Sequence, residues 1–193
     1  MILAQLLLTL DFMSRKGIIH RDLKPENILL SSKQEGVFEI KIADFGFAIP
    51  FDSSEGAINP LAMVLCGTPG YIPPEALQSK GFNMRSDVFS VGSILYSVLS
   101  LKNLFNGDTY QEIMNNNRLC NLKYIQLDLY KCSPESKDLL RQLLTKESEK
   151  RPTAIQALAH PWFSNELLPL QSSMQLNKML ASRSRSSIPA KDL

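Results

Sequence analysis

The sequence predicts a mainly α-helical domain interrupted by one small β-hairpin, on three observations. Leu3, Leu6, Leu7 and Leu10 recur at i, i+3, i+4, i+7, the stripe of a helix packed on a core. Phe38, Ile40 and Ile42 alternate with Glu39 and Lys41, the period of a half-buried strand. From Ser86 to Leu101, large apolar residues interleave with small serines and almost no charge. A helix apolar on nearly all sides belongs in the middle of a domain.

Taken in order, Met1 to Lys16 reads as helix with Gly17 as its C-cap. Its apolar start has no basic n-region and no small-residue cleavage site, so it is not read as a signal peptide. It is also too short to span a bilayer. The stripe opens without a capping residue, which is expected of a helix cut short at its start. Ile18-Ile19 and Ile28-Leu29-Leu30 flank a charged segment, His20 to Asn27. Ser31 to Gly36 is expected to be the turn of the hairpin. Residues 47–70, rich in Gly and Pro, read as one long loop of the kind that carries function. Pro134 to Thr145 places Leu139, Leu140, Leu143 and Leu144 on one face of a surface helix, and Thr153 to Phe163 reads as another. Beyond Leu170 the chain turns to Ser, Gln, Lys and Arg, the composition of a flexible tail.

The 193 residues suffice for one domain with a proper core. Twenty-one basic and 19 acidic residues leave a net charge of +2, which gives no electrostatic reason to expect nucleic acid or a membrane as partner. Cys66, Cys120 and Cys132 lack metal-ligand spacing and read as reduced structural thiols in an intracellular, cytoplasmic protein. No EF-hand loop is present, so direct calcium binding is not expected.

The charged segment carries the chemistry. His20-Arg21-Asp22-Leu23-Lys24-Pro25-Glu26-Asn27 resembles the catalytic loop of protein kinases, and Asp44-Phe45-Gly46 follows across the hairpin, as their metal site does. The resemblance continues through Gly67-Thr68-Pro69-Gly70-Tyr71, Pro74-Glu75, Asp87 to Gly92, Arg151-Pro152-Thr153 and His160-Pro161-Trp162-Phe163. It covers residues 1–165 and implies a protein-kinase C-terminal lobe, helical with a small hairpin beside the catalytic loop. Residues 166–193 would be the tail. Lys-Pro-Glu-Asn after the His-Arg-Asp is the serine/threonine form, and Phe105-Asn106-Gly107 with Cys66-Gly67-Thr68 resembles the calcium/calmodulin-dependent type.

Phosphoryl transfer asks a protein mainly for positioning and charge neutralisation. By the resemblance, Asp22 would accept or orient the proton of a substrate hydroxyl, and Lys24 would set a cation beside the transferring phosphate. Thr68 matches the threonine that bonds both. Asn27 and Asp44 offer hard oxygen ligands suited to Mg²⁺ shared with ATP phosphates. Lys24, Glu26, Asn27, Leu29 and Asp44 are thereby assigned to the nucleotide site, Leu29 under the adenine. Glu26 also resembles the acidic residue that reads basic side chains near the target hydroxyl, a solvated carboxylate being the alternative. His20 and Phe45 resemble the column that aligns two lobes, Glu75 and Arg151 a buried ion pair, and Asp87 an anchor for the catalytic-loop backbone.

Ser53, Ser54 and, less so, Thr68 lie where activating phosphorylation occurs in the family, with Arg21 available to pair with a phosphate. An unmodified loop is the alternative at Ser53 and Ser54. Protein substrates bearing Ser or Thr, an upstream kinase and a calmodulin-type regulator are the implied partners. Met174 to Leu180 and the basic patch Arg183 to Ser187 are expected to be a disordered end, an autoinhibitory or calmodulin-binding segment being the alternative.

The sequence departs from the pattern at Pro73, where the family has Ala, and at Phe89, where it has Trp. It contains no Gly-x-Gly-x-x-Gly, so the expectation is a kinase fragment without the N-terminal lobe. The competing expectation is a non-catalytic, kinase-like binding or regulatory module.

Overall fold

The computed structural model describes residues 2–34, 37–51, 59–122 and 129–164. Helix α1 (Ile2–Arg15) buries Ala4, Leu6, Leu7, Leu10 and Met13, with Leu3 partly buried beside them. It stops at Gly17, whose φ of 64° is the left-handed conformation of a helix C-cap. Two short antiparallel pairs follow. Strand β2 (Ile28–Gln34) pairs with β3 (Val37–Ile42), Ile28 opposite Ile42 and Leu30 opposite Ile40. Strand β1 (Ile18–Ile19) pairs with β4 (Ile49–Pro50).

Both loop expectations need correction. The hairpin turn is tighter than Ser31 to Gly36, because residues 31–34 continue the ladder, Ser31 opposite Glu39. Polar side chains do not stop a strand whose backbone groups find a partner. Within 47–70, β4 and a 3₁₀ turn at Pro60–Met63 are regular. Asn59 caps that turn by accepting the Leu61 amide at 2.9 Å, and it donates to the Pro50 carbonyl at 2.7 Å. A satellite core of Ile19, Ile49, Ala62, Ile72, Ala76 and Phe82 lies beneath this segment.

The remainder is helical: α2 (Pro74–Leu77), α3 (Ser86–Ser100), α4 (Tyr110–Leu119), α5 (Pro134–Leu143) and α6 (Ala154–Leu158). Every residue from Ser86 to Tyr96 is buried, and α3 packs against α1 and α5. At Gly92 an added Cβ would lie 2.8 Å from Leu144 and 3.0 Å from Leu143, so only glycine lets these elements approach so closely. Leu139, Leu140, Leu143 and Leu144 are all buried, as their spacing predicts.

Helix α4 lies in a stretch to which the sequence reading assigns no element. Thr109 and Glu112 cap it reciprocally. The helix expected over 153–163 ends at Leu158 and resumes only at Pro161, since the residue before a proline is pushed out of the α region. Among the described residues no helix is long and apolar enough to cross a membrane. The tail beyond residue 164, including Met174 to Leu180 and Arg183 to Ser187, lies outside the described residues, as do Ser53 and Ser54.

Candidate active site

The catalytic-loop segment runs from the end of β1 to the start of β2 and is tied from below by α3. Asp87, in the first turn of that helix, accepts the His20 amide at 2.8 Å and the Arg21 amide at 3.0 Å. Burial pushes its carboxyl above the ordinary value, and the two amides pull it back. These bonds hold Arg21 at φ 70°, a left-handed conformation that a bulky residue keeps only when its surroundings enforce it. His20 is buried; its Nδ1 accepts the Asp22 amide at 3.3 Å while Nε2 faces the Ala43 carbonyl at 3.1 Å. That pair of contacts selects the tautomer protonated at Nε2. The Phe45 ring meets the imidazole edge-on, 4.9 Å between centroids.

Four of the predicted site residues converge. Thr68 Oγ1 donates to Asp22 Oδ1 at 2.7 Å and accepts from Lys24 Nζ at 2.9 Å. Lys24 Nζ lies 3.1 Å from Asp22 Oδ2. Asn27 Nδ2 donates to the Asp22 carbonyl at 2.9 Å and reaches Oδ2 at 3.4 Å. Asp22 is thereby surrounded by donors, with 4% of its side chain exposed against 23% for Lys24. Such a group can orient a hydroxyl and hold its proton while a cation stands beside it. Thr68 arrives from 46 residues downstream because Gly67 takes φ 102°; a Cβ there would sit 2.7 Å from the Arg21 carbonyl.

Asp44 is placed by the hairpin. The Ala43 amide donates to the Asn27 carbonyl at 2.9 Å, so the two strand ends that carry Asn27 and Asp44 lie side by side. Asp44 is exposed, and its Oδ1 accepts the Gly46 amide at 3.2 Å. Leu29 is 53% exposed, and Glu26 is exposed outside the Asp22 cluster. Beneath the site, Arg151 and Glu75 form a two-pronged pair at 2.8 and 2.9 Å. Arg151 also donates to the carbonyls of Thr145, at 2.9 Å, and Arg85, at 2.8 Å.

Arg21, expected to pair with a phosphate, spends part of its guanidinium on backbone. Its guanidinium donates to the carbonyls of Phe47 at 2.7 Å, Leu61 at 2.6 Å and Val64 at 3.3 Å. It also lies over the Phe82 ring, 5.4 Å from its centroid. A buried cation must be paired or hydrogen-bonded, and backbone oxygens take up Nε and one Nη here. The sequence reading also passes over Ser86, Ser90, Ser93 and Asn117, all buried. The serines carried a signal: hydroxyls in an otherwise apolar helix must bond something. Ser86 bonds Glu75 Oε1 at 2.9 Å.

Comparison with known proteins agrees with this geometry. The family model "Protein kinase domain" matches residues 1–163. The chain is 36% identical to the calcium/calmodulin-dependent protein kinase type II alpha chain of Drosophila melanogaster, over 82% of this chain and 29% of that protein. It is 35% identical to death-associated protein kinase 2 of Mus musculus, over 83% of this chain and 42% of that one. It is 31% identical to a probable serine/threonine-protein kinase 2 of Plasmodium falciparum, over 91% of this chain and 33% of that protein. The chain thus spans about a third of the length of several curated relatives that it matches. With its motifs, their geometry and these relatives in agreement, the chain belongs to the protein kinase family and is similar to its calcium/calmodulin-dependent members.

Proposed function

We propose that the protein containing this chain transfers the γ-phosphate of ATP to Ser or Thr hydroxyls of protein substrates, and that residues 1–165 form the C-terminal lobe of its catalytic domain. Residues 166–193 are then a tail outside that lobe. The observation that carries the reading is the closed triangle of Asp22, Lys24 and Thr68, with Asn27 bonded to Asp22 from the other side.

Asp22 orients the acceptor hydroxyl and takes its proton as the oxygen attacks. Thr68 fixes Oδ1 of that carboxylate while Lys24 and Asn27 lie against Oδ2, so the whole group is held in one orientation. Lys24 holds its charge where negative charge shifts during transfer. Bound Mg-ATP supplies the transferable phosphoryl group and the metal that neutralises its oxygens. The residues present fit such a group. Asn27 spends its amide nitrogen on Asp22, which leaves its oxygen as the ligating atom, and Asp44 brings a carboxylate to the adjoining strand end. Among the described residues no cluster of three or more His, Cys, Asp or Glu side chains could hold a metal by itself. Two oxygen ligands completed by phosphates are the arrangement that Mg²⁺ favours. Exposed Leu29 offers apolar surface to the base.

The substrates on this reading are proteins with basic residues near the acceptor, met by exposed Glu26. An upstream kinase or a calmodulin-type regulator controls the enzyme, which works in the cytoplasm. The relatives named for calcium/calmodulin dependence support that control, and the threonine-bound lysine supports Ser/Thr over Tyr acceptors. The test is phosphate transfer by the full-length protein from labelled Mg-ATP to a basic Ser/Thr peptide. We expect transfer that EDTA abolishes and that Asp44→Asn loses. Transfer surviving Asp44→Asn would sink the reading.

A further inference from the structure

Arg21 is next to Asp22 in the chain, but its guanidinium bonds a different stretch, the one between Asp44 and Glu75. Nε donates to the Phe47 carbonyl near the start of that stretch, and Nη1 to the carbonyls of Leu61 and Val64 further along it. A two-pronged grip on an anion takes either Nε with one Nη or the two Nη together. Each of those pairs includes an atom already turned to a carbonyl. The charge is answered too: the guanidinium lies over the Phe82 ring, and the buried Asp87 carboxylate is near enough to feel it.

The same stretch is docked by its own residues. Ala62 is 2% exposed and belongs to the satellite core with Ile19, Ile49, Ile72 and Phe82. Its carbonyl accepts the Phe82 amide at 2.9 Å. Four residues past Val64 stands Thr68, which bonds both Asp22 and Lys24, so fixing 61–64 fixes the approach to the site. The stretch brings no cation of its own. From Asp44 to Glu75 there is no Lys or Arg, and Ser53-Ser54 stands between Asp52 and Glu55. A phosphate orders a chain by meeting cations and disturbs it beside carboxylates.

We propose that residues 59–64 hold their working position through Arg21 and the satellite core, and that phosphate transfer does not depend on modification of the stretch between Asp44 and Glu75. This rests on the phosphotransfer reading above, and any upstream kinase then acts outside that stretch. Arg21 is a positioning residue: it acts on Asp22 through the chain that carries Thr68.

The experiment is a double-mutant cycle in the full-length protein, read by steady-state transfer from Mg-ATP to a Ser/Thr peptide and by hydrogen exchange over residues 59–66. Ser53→Ala/Ser54→Ala should keep kcat/KM within about twofold of the wild type. Arg21→Gln should lower kcat about 10-fold, by the same factor with or without the serines, and speed exchange at 59–66. Asn59→Ala, which frees the Pro50 carbonyl and the Leu61 amide, gives a smaller fall with the same independence and serves if Arg21→Gln does not fold. A fall of about tenfold or more in Ser53→Ala/Ser54→Ala overturns the proposal, and Arg21→Gln adding nothing to that fall would show an arginine that works through a phosphate. An Arg21→Gln variant as active as the wild type overturns it too. A wild-type protein that transfers no phosphate overturns the kinase reading and this one together; either of the other two outcomes in an active wild type overturns this one alone.

Discussion

Two of the carboxylate–cation pairs among the described residues are built in opposite ways. Glu75 and Arg151 meet through both prongs, with 4% and 0% of their side chains exposed. The remaining arginine donors end on carbonyls, and the guanidinium lies over the Phe89 ring. Asp22 and Lys24 meet through one ammonium, with the lysine partly open to water and Thr68 wedged between them. The first pair has no capacity left for a ligand, so its role is to hold elements together. The second keeps a wet side, and a charge that can still be approached is one that can do chemistry.

Asp22→Asn should separate the two roles most sharply. Losing the proton acceptor should lower kcat by about 10²–10⁴-fold, while the melting temperature stays near that of the wild type. A variant that loses activity only because it unfolds would erase the distinction. Glu75→Ala is its counterpart. Leaving Arg151 buried without its partner should cost about 3–5 kcal/mol of stability, read by denaturant midpoint, with activity lost in proportion to the unfolded fraction. Thr68→Ala comes next, removing one hydrogen bond to each charged partner. About 1.5–3 kcal/mol for such bonds corresponds to a drop of roughly 10–100-fold in kcat, with little change in stability.

The smallest effect belongs to a pair that is exposed on its carboxylate side only. His160 Nε2 lies 3.0 Å from Asp138 Oδ2, and the histidine holds the Asp138 carboxyl below its ordinary range. A depressed carboxyl contributes stability above the unfolded value, near pH 4, and loses it as pH falls through the folded value. The carboxylate side chain is 55% exposed, so solvent screens most of this. Asp138→Asn should lower the melting temperature by about 1–2 °C at neutral pH and flatten its decline in acid. A larger loss would mean that a pair with one wet partner also acts as scaffold, weakening the contrast between the two roles.

Much of the site could be read directly because phosphate chemistry demands particular residue types at short spacing. Asp22, Lys24 and Asn27 fall within six residues, and Asp44 is a hairpin away. Helices α1, α3 and α5 were legible for a different reason, since burial of one face imposes its period on the sequence. Arg21 was not: its partners are the carbonyls of Phe47, Leu61 and Val64, and a carbonyl is the same whichever residue bears it. Asn117 was equally silent. It stands third in Asn115-Asn116-Asn117, where composition gives no hint which amide is turned inward.

The sequence by itself determined the family, the residues that bear chemistry and the main helical faces, because local spacing and residue type record those constraints. Tertiary structure alone decided how these groups meet in space, including the Thr68–Asp22 and Arg151–Glu75 contacts that only the family resemblance implied. Thr68 reaches Asp22 across 46 positions, Asn117 reaches Gly70 across 47, and Arg151 reaches Glu75 across 76. Hydrogen bonds are fixed by distances in space, and no period along the chain encodes them.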